Sequence, residues 1–311
     1  MSQPRIAICV VTFNSAPLIE DLIASLPAGA DGTDWTLVFA DNASSDHTID
    51  EITRCAPDAV LVRTGGNLGY AGGLNAAVAA AGDQDAYLIL NADVRLTEGC
   101  LIRLYRELGD GVGIAVPRLV DGAGTPLWSI RREPSLARVW ADALIGGERA
   151  GRIGTLGEVV TDPAAYESPT PVDWAEGSTQ LISAECWRTC GPWDDSYFLY
   201  SEETDYDLRA RDAGLPVLYV PTAVAQHLKG DSAVSQRLWS LLVLNKARLY
   251  SRRHGPVPSI LFWLALVVRE GSRAALGRAT SRAALRDLLR PRRWRQPRGP
   301  AWLDGVRTSE D

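Results

Sequence analysis

The feature that most constrains this chain is an alternation, through its first ninety residues, of short apolar β-branched runs with helix-patterned segments. Arg5–Phe13, Thr36–Asp41, Ala59–Arg63 and Ala86–Leu90 read as buried strands. Pro17–Leu26, Ser45–Cys55 and Gly72–Ala81 read as the helices between them. A β-α-β-α-β-α-β order predicts an α/β domain with a mostly parallel central sheet flanked by helices. Polar residues stand where these strands end: Thr12 and Asn14, Asp41 and Asn42, Asn91 and Asp93. Ligands of open α/β sheets bind at those carboxyl ends, so the first half should present one polar crevice. Val112–Val120 and Pro126–Arg132, around an Asp121–Gly124 turn, are expected as a hairpin or as two separate strands. Residues 133–171 form a partly helical excursion. A strand over Val172–Ile182, a helix over Ala184–Thr189, a helix over Glu203–Ala213 stopped by Gly214, and a strand over Val217–Val224 follow.

The charge balance excludes some partners. A formal charge of −6 over 311 residues argues against a general nucleic-acid binder. Between Arg252 and Arg298, however, arginines face only two acids, Glu270 and Asp287, so an acidic body carries a basic tail. The five cysteines include no C-x-x-C pair, and the three histidines have no ligand spacing to them, which argues against zinc and for reduced thiols in a cytoplasmic protein. Ile6–Phe13 lacks a charged segment before it and reads as a strand, not a signal peptide. No apolar run reaches the roughly 18–20 residues that a membrane span needs.

Four stretches carry chemistry. Strand 2 ends in Asp41-Asn42-Ala43-Ser44-Ser45-Asp46, where a carboxylate could accept from a base or a ribose and Ser44 or Ser45 should cap the next helix. Gly65-Gly66-Asn67-Leu68-Gly69-Tyr70-Ala71-Gly72-Gly73 holds five glycines in nine residues before a helix start, which suits close approach of a phosphate. Its spacing is neither that of a dinucleotide fold nor that of a Walker loop. Asn91-Ala92-Asp93 follows a buried strand and offers hard oxygen ligands suited to Mg²⁺ or Mn²⁺. From Trp193 to Arg209, acids crowd beside aromatics, with Glu202, Glu203 and Asp205 at a helix start, and His227 closes the next strand.

Together these stretches closely resemble the family-2 inverting glycosyltransferases of the GT-A fold, over residues 5–250, and most resemble the rhamnosyltransferase-like branch. Val10-Val11-Thr12-Phe13-Asn14-Ser15 matches the family's opening strand, and Asn91-Ala92-Asp93 stands at its DXD position. The resemblance implies that Thr12, Asn14, Asp41, Asn67, Gly73, Asn91 and Asp93 hold the nucleotide. It implies that Asp93 and His227 bind the divalent ion, and that Glu203 is the general base. The family usually has Asp at that last position, so Glu202 or Asp205 could share or replace the role. Asn91 replaces the first acid of DXD. The donor implied is a nucleotide-diphosphate sugar, favoured as a dTDP-deoxysugar such as rhamnose. The acceptor is the hydroxyl of a lipid-linked glycan, a polysaccharide or a secondary metabolite. The different-class reading is a catalytically silent sugar-nucleotide-binding or scaffold protein.

Three segments are expected: a GT-A domain over 1–255, a helical basic segment over 256–290, and a disordered tail over 291–311. In the second, Ile260–Val268 is apolar, and Arg269, Arg273, Arg282, Arg286 and Arg290 recur at mostly helical spacing. That pattern fits either a helix packed on the core with a solvated basic face, or a peripheral contact with the inner face of a membrane.

Overall fold

A computed structural model describes residues 3–109, 111–228 and 235–302. The expected alternation is present as β1 (Arg5–Thr12), α1 (Ala16–Gly29), β2 (Asp34–Asp41), α2 (Thr48–Cys55), β3 (Val60–Arg63), α3 (Gly69–Ala81) and β4 (Ala86–Asn91). There follow β5 (Val94–Leu96), α4 (Cys100–Glu107), β6 (Ile114–Val120), β7 (Ile130–Arg131), α5 (Leu136–Ile145), α6 (Gly147–Gly151) and β8 (Thr170–Val172). Next come β9 (Trp174–Ala175), β10 (Thr179–Ser183), α7 (Ala184–Cys190), α8 (Glu202–Asp212) and β11 (Val217–His227). The chain then continues through α9 (Gln236–Arg253), α10 (Pro256–Ala275), α11 (Ala279–Leu288) and α12 (Pro291–Arg295).

Contacts divide the described residues into two units. The first runs to Arg131 and adds Asp162–Asp195 and the stretch from Glu203 through β11. Its main sheet has the order β3-β2-β1-β4-β10-β6-β11-β5, with β8 on β11. The half β3-β2-β1-β4 is parallel, as the alternation predicts, and β10 then runs antiparallel to both β4 and β6. Strand alternation sends Ile6, Ile8 and Val10 of β1 to one face, where they pack with Ile19, Leu22 and Leu26 of α1 and with Ile52 of α2. On α3 a Cβ at Gly73 would come within 2.7 Å of Val11 Cγ1, so this small-residue helix lies close to the sheet because it lacks side-chain bulk there.

Several local expectations change. Helix α2 begins at Thr48, after His47, and neither Ser44 nor Ser45 caps it, because both hydroxyls bond to residues of the strand-end turn instead. Residues 114–120 and 130–131 are separate strands: Ile130–Arg131 pairs with Trp174–Ala175. The single strand expected over 172–182 is three, broken at Asp173 and at Glu176–Ser178, and the strand expected to end at Val224 continues to His227.

The second unit is helical: Arg132–Thr161, Ser196–Glu202 and α9 onward. Its core joins Val139 of α5, Leu241 and Leu244 of α9, Phe262 and Leu266 of α10, and Ala284 and Leu288 of α11. The division expected at residue 255 therefore differs: α9 and two earlier segments belong with the C-terminal helices. The tail expected to be disordered from 291 carries α12 and a 3₁₀ turn at Pro300–Trp302, with Trp302 buried in this core. Residues 303–311 of that expected tail lie outside the described residues. Nor do Arg269 and Arg273 belong to a solvated basic face. Arg269 is buried, bonding Glu270 and Asp142, and Arg273 bonds Asp142 at 2.6 Å.

Candidate active site

At the ends of β1 and β2 the polar residues clasp one another. Thr12 Oγ1 donates to Asp41 Oδ1 (3.0 Å), as does Ser44 Oγ (2.5 Å), while the Ser44 amide donates to Asp41 Oδ2 (3.0 Å). Asn14, held at a φ of 50°, accepts from the Ser45 amide (2.8 Å) and donates its own amide to Ser44 Oγ (2.9 Å). Thr12 and Asp41 are buried, so this network is rigid and fixes the shape of the crevice wall. Much of the bonding capacity of Thr12, Asn14 and Asp41 is thus directed inward. Asn42, which the motif reading left without a role, donates to Gly69 O (2.9 Å) and ties the turn to the glycine loop. Asn67 Oδ1 accepts from the Gly69 amide (2.9 Å) at the start of α3.

Beyond β4 the chain turns at Asn91–Asp93 and enters β5, which pairs antiparallel with the end of β11, setting Val94 opposite His227. That register brings Asp93 Oδ2 within 3.2 Å of His227 Nε2. The Leu228 amide donates to Asp93 O (2.9 Å) and holds the two strand ends in place. Asn91 Oδ1 is buried without a hydrogen-bond partner. A carboxylate and an imidazole side by side are an incomplete but suitable donor set for Mg²⁺ or Mn²⁺, ions that take remaining ligands from substrate phosphates and water. Among the described residues no group of three or more acidic, His or Cys side chains comes together in a set that could hold a metal ion.

The segment 175–180 links this strand end to the acidic helix. Asn91 donates its amide to Ser178 O (2.9 Å), and Tyr70 of the glycine-loop helix donates its hydroxyl to Gly177 O (3.1 Å). Gly177 backs onto Glu203: a Cβ added there would sit 2.9 Å from Glu203 Cβ and 3.7 Å from the Trp193 ring. On the same segment the Ala175 amide and Gln180 Nε2 donate to Asp207 Oδ2 (2.9 and 3.1 Å). The Trp193 amide and carbonyl bond reciprocally to the side chain of Asn75 on α3.

The three candidate carboxylates differ sharply. Asp205 is engaged by Arg209 at 2.8 Å, and that guanidinium also bonds Cys190 O and Pro192 O. Glu202 is buried and belongs to the second unit. Glu203 is half-buried with its Oε2 enclosed and unpartnered, and burial, assisted by the Glu176 carboxylate, pushes its pKa up to about 7. The Arg131 guanidinium, bonded to Glu176 at 2.6 Å, opposes that rise. Asp207, one turn beyond Glu203, is wholly buried and its carboxyl is pushed well above the usual range by burial. Glu176, Arg131 and Asp207 escaped the sequence reading. Only Asp207 had a signal, its i+4 spacing from Glu203 on one helix face.

A parallel half-sheet, a glycine loop at a helix start and a strand-end Asp beside a His are the features by which the sequence resembles a nucleotide-sugar glycosyltransferase. The comparisons agree: residues 7–155 match the family described as "Glycosyl transferase family 2", and the fold is GT-A. It is similar to the N-acetylglucosaminyl-diphospho-decaprenol L-rhamnosyltransferase of Mycobacterium tuberculosis, 28% identical over 72% of this chain and 76% of that one. The rhamnosyltransferase WbbL of Escherichia coli K12 is 24% identical over 71% of this chain and 82% of its own length. Among solved structures, the mannosyltransferase PcManGT of Pyrobaculum calidifontis, in complex with GDP-Man and Mn²⁺, shares the fold with a TM-score of 0.56. It is 17% identical, over 92% of this chain and 79% of that one.

Proposed function

We propose that this glycosyltransferase inverts the anomeric centre as it moves a sugar from a nucleotide-diphosphate donor, favoured as a dTDP-deoxysugar of the rhamnose type, to an acceptor hydroxyl. The observation that carries the reading is the segment 175–180, which ties the Asn91 strand end and the glycine-loop helix to the wall behind Glu203. The Thr12–Asn14–Asp41 clasp shapes the nucleotide wall, and Asp41 keeps lone-pair capacity on Oδ2 for a base N–H. Asn67 and Gly73 set the glycine loop and α3 against that wall. Asn91 supplies a buried acceptor, and Asp93 and His227 would hold the divalent cation. Bound there, Mg²⁺ or Mn²⁺ would neutralise the departing nucleoside diphosphate.

Glu203 is the base. Its carboxylate takes the proton of the acceptor hydroxyl as that oxygen bonds to the anomeric carbon, while the bond to the diphosphate oxygen breaks on the opposite face and the electron pair leaves with the nucleotide. Burial matches its proton affinity to neutral pH, where a base is most effective, and a positioned base contributes about 10²- to 10⁴-fold in rate. Asp205 is disfavoured because Arg209 already neutralises it. The acceptor follows the relatives: a glycan on a polyprenyl diphosphate is favoured over a free polysaccharide end or a secondary metabolite, with the enzyme acting at the cytoplasmic face of the membrane.

A thermal-shift panel of nucleoside diphosphates and their sugars, with and without Mn²⁺, tests the donor. Selective, Mn²⁺-enhanced stabilisation by a dTDP compound is expected, a few kcal/mol at about 100 to 1,000 times its dissociation constant. Equal response to every nucleotide would remove the dTDP assignment. The anomeric configuration of the product, read by NMR, tests inversion.

A further inference from the structure

Helix α10 has a solvent-facing side without a single charge. Val257, Ile260, Leu261, Leu264 and Val268 are between 38% and 67% exposed and recur at i, i+3, i+4, i+7 and i+11. They therefore form one apolar row about 16 Å long at 1.5 Å per residue. The charged residues of the helix, Arg269, Glu270 and Arg273, are turned inward to one another and to Asp142 or to Trp239.

Beside this row opens a groove of about 570 Å³ lined by Ile260 and Trp263 of α10, Leu289, and Trp294 and Arg295 of α12. Leu289, 54% exposed, also lines the adjoining depression formed with Arg290, Arg292 and Arg293. One surface therefore carries an apolar row that runs into a rim of guanidinium groups. Over residues 256–302 the only acids are Glu270 and Asp287, both buried. Six arginines there are exposed: Arg278, Arg282, Arg286, Arg290, Arg292 and Arg295.

We propose that this face docks on an anionic lipid bilayer, with the α10 row and Leu289 entering the headgroup region and the arginines of the following helices meeting lipid phosphates. Apolar burial with a cationic rim is the chemistry of an interfacial helix. No helix among the described residues is long and apolar enough to cross a membrane, and α10 is committed on its inner side to Phe262, Ala265 and Leu266 of the core, so it can lie on a bilayer but not traverse one. A second copy fits less well, because a symmetric pairing would press this rim of like charges against itself. The proposal needs neither nucleotide nor acceptor, so it stands or falls apart from the transfer reading.

The test is co-sedimentation of the full chain with vesicles of phosphatidylcholine alone or phosphatidylcholine–phosphatidylglycerol, two to one. Binding to the anionic vesicles only, weakened by salt, is expected. Leu261→Ser/Leu264→Ser and Arg290→Gln/Arg292→Gln/Arg295→Gln should each lower partition at least tenfold, since every basic residue near an anionic leaflet strengthens it about fivefold. All five positions are exposed, and unchanged melting and unchanged nucleotide release in solution should accompany the loss. No vesicle binding by the parent chain overturns the proposal, as does binding that either variant leaves intact. Concentration-dependent dimerisation lost in the leucine variant, without lipid binding, overturns it in favour of a second copy.

Discussion

As the proposed base, Glu203 sets activity against stability. An ordinary Glu releases its proton near 4.5, whereas the folded chain holds this one to about 7. Across that window the unfolded state binds fewer protons, so stability falls as pH rises from about 4.5 to 7 and stays lowered above it. Glu203→Gln removes this cost. At pH 8 the variant should melt higher than the parent, by about 1–3 kcal/mol in unfolding free energy, while its transfer rate drops about 10²- to 10⁴-fold with donor affinity nearly unchanged. In the parent, the rate should rise through about pH 7 and level off, as the carboxyl becomes a base. Paired melting and pH–rate measurements check both signs. Asp93 and His227 behave differently, since they sit 3.2 Å apart at two strand ends. Asp93→Ala should abolish Mn²⁺-dependent transfer, and His227→Ala should raise the Mn²⁺ concentration needed for half-maximal rate, both with the fold intact by circular dichroism.

At the scale of elements, Gly177 and Asn245 hold the local geometry. Gly177→Ala puts a carbon 2.9 Å from Glu203 Cβ and 3.3 Å from its Cγ, so the proposed base must move. A loss of tenfold or more in kcat, with little change in melting temperature, is expected, since misplacement of about 1 Å can cost 10²-fold. In the second unit, Phe198, Tyr200 and Ser201 all have positive φ, an unusual backbone for such residues. Asn245 on α9 donates to Tyr197 O, Leu199 O and Tyr200 O at 2.9–3.1 Å and holds that strained turn. Asn245→Ala should destabilise the chain by about 1–3 kcal/mol in denaturant unfolding, because buried carbonyls lose their donors. Strands β1, β2 and β4 were legible in the sequence because buried strands of a parallel sheet are continuous apolar runs, while β3, half-exposed at the sheet edge, showed as a short Val-Leu-Val run. The stretch 172–182 was not legible: its breaks come from pairing with four different strands, β11, β7, β4 and β6, which no local pattern encodes. The strand-end residues were legible for the same reason as the strands. Arg131 and Glu176 were not, since long-range pairing alone brings them beside Glu203.

Over the whole molecule, the C-terminal helices contribute to a folded core of their own in the second unit. Phe262, Ala265, Leu266, Ala284, Leu288 and Trp302 all contribute to the core of the second unit, and Arg298 bonds Asn245 Oδ1 at 3.0 Å. Truncation at Gly255 should therefore leave that unit unable to fold, seen as rapid proteolysis within residues 236–253 and loss of a cooperative melt. The sequence reading expected disorder from 291 because the tail's Pro- and Arg-rich composition resembles that of disordered segments, while its two anchoring aromatics, Trp294 and Trp302, are widely spaced. The central claim is that Glu203, backed by Gly177, is the base of a nucleotide-sugar transferase. It is tested most directly by measuring nucleotide release and sugar transfer for the parent, Glu203→Gln, Glu202→Gln and Asp205→Asn, with the donor that the binding panel selects and with Mn²⁺ present. The account predicts that Glu203→Gln suffers the largest loss in kcat, about 10²-fold or more, with KM for the donor unchanged. A parental rate retained in Glu203→Gln, or a larger kcat loss in Glu202→Gln or Asp205→Asn, would contradict it.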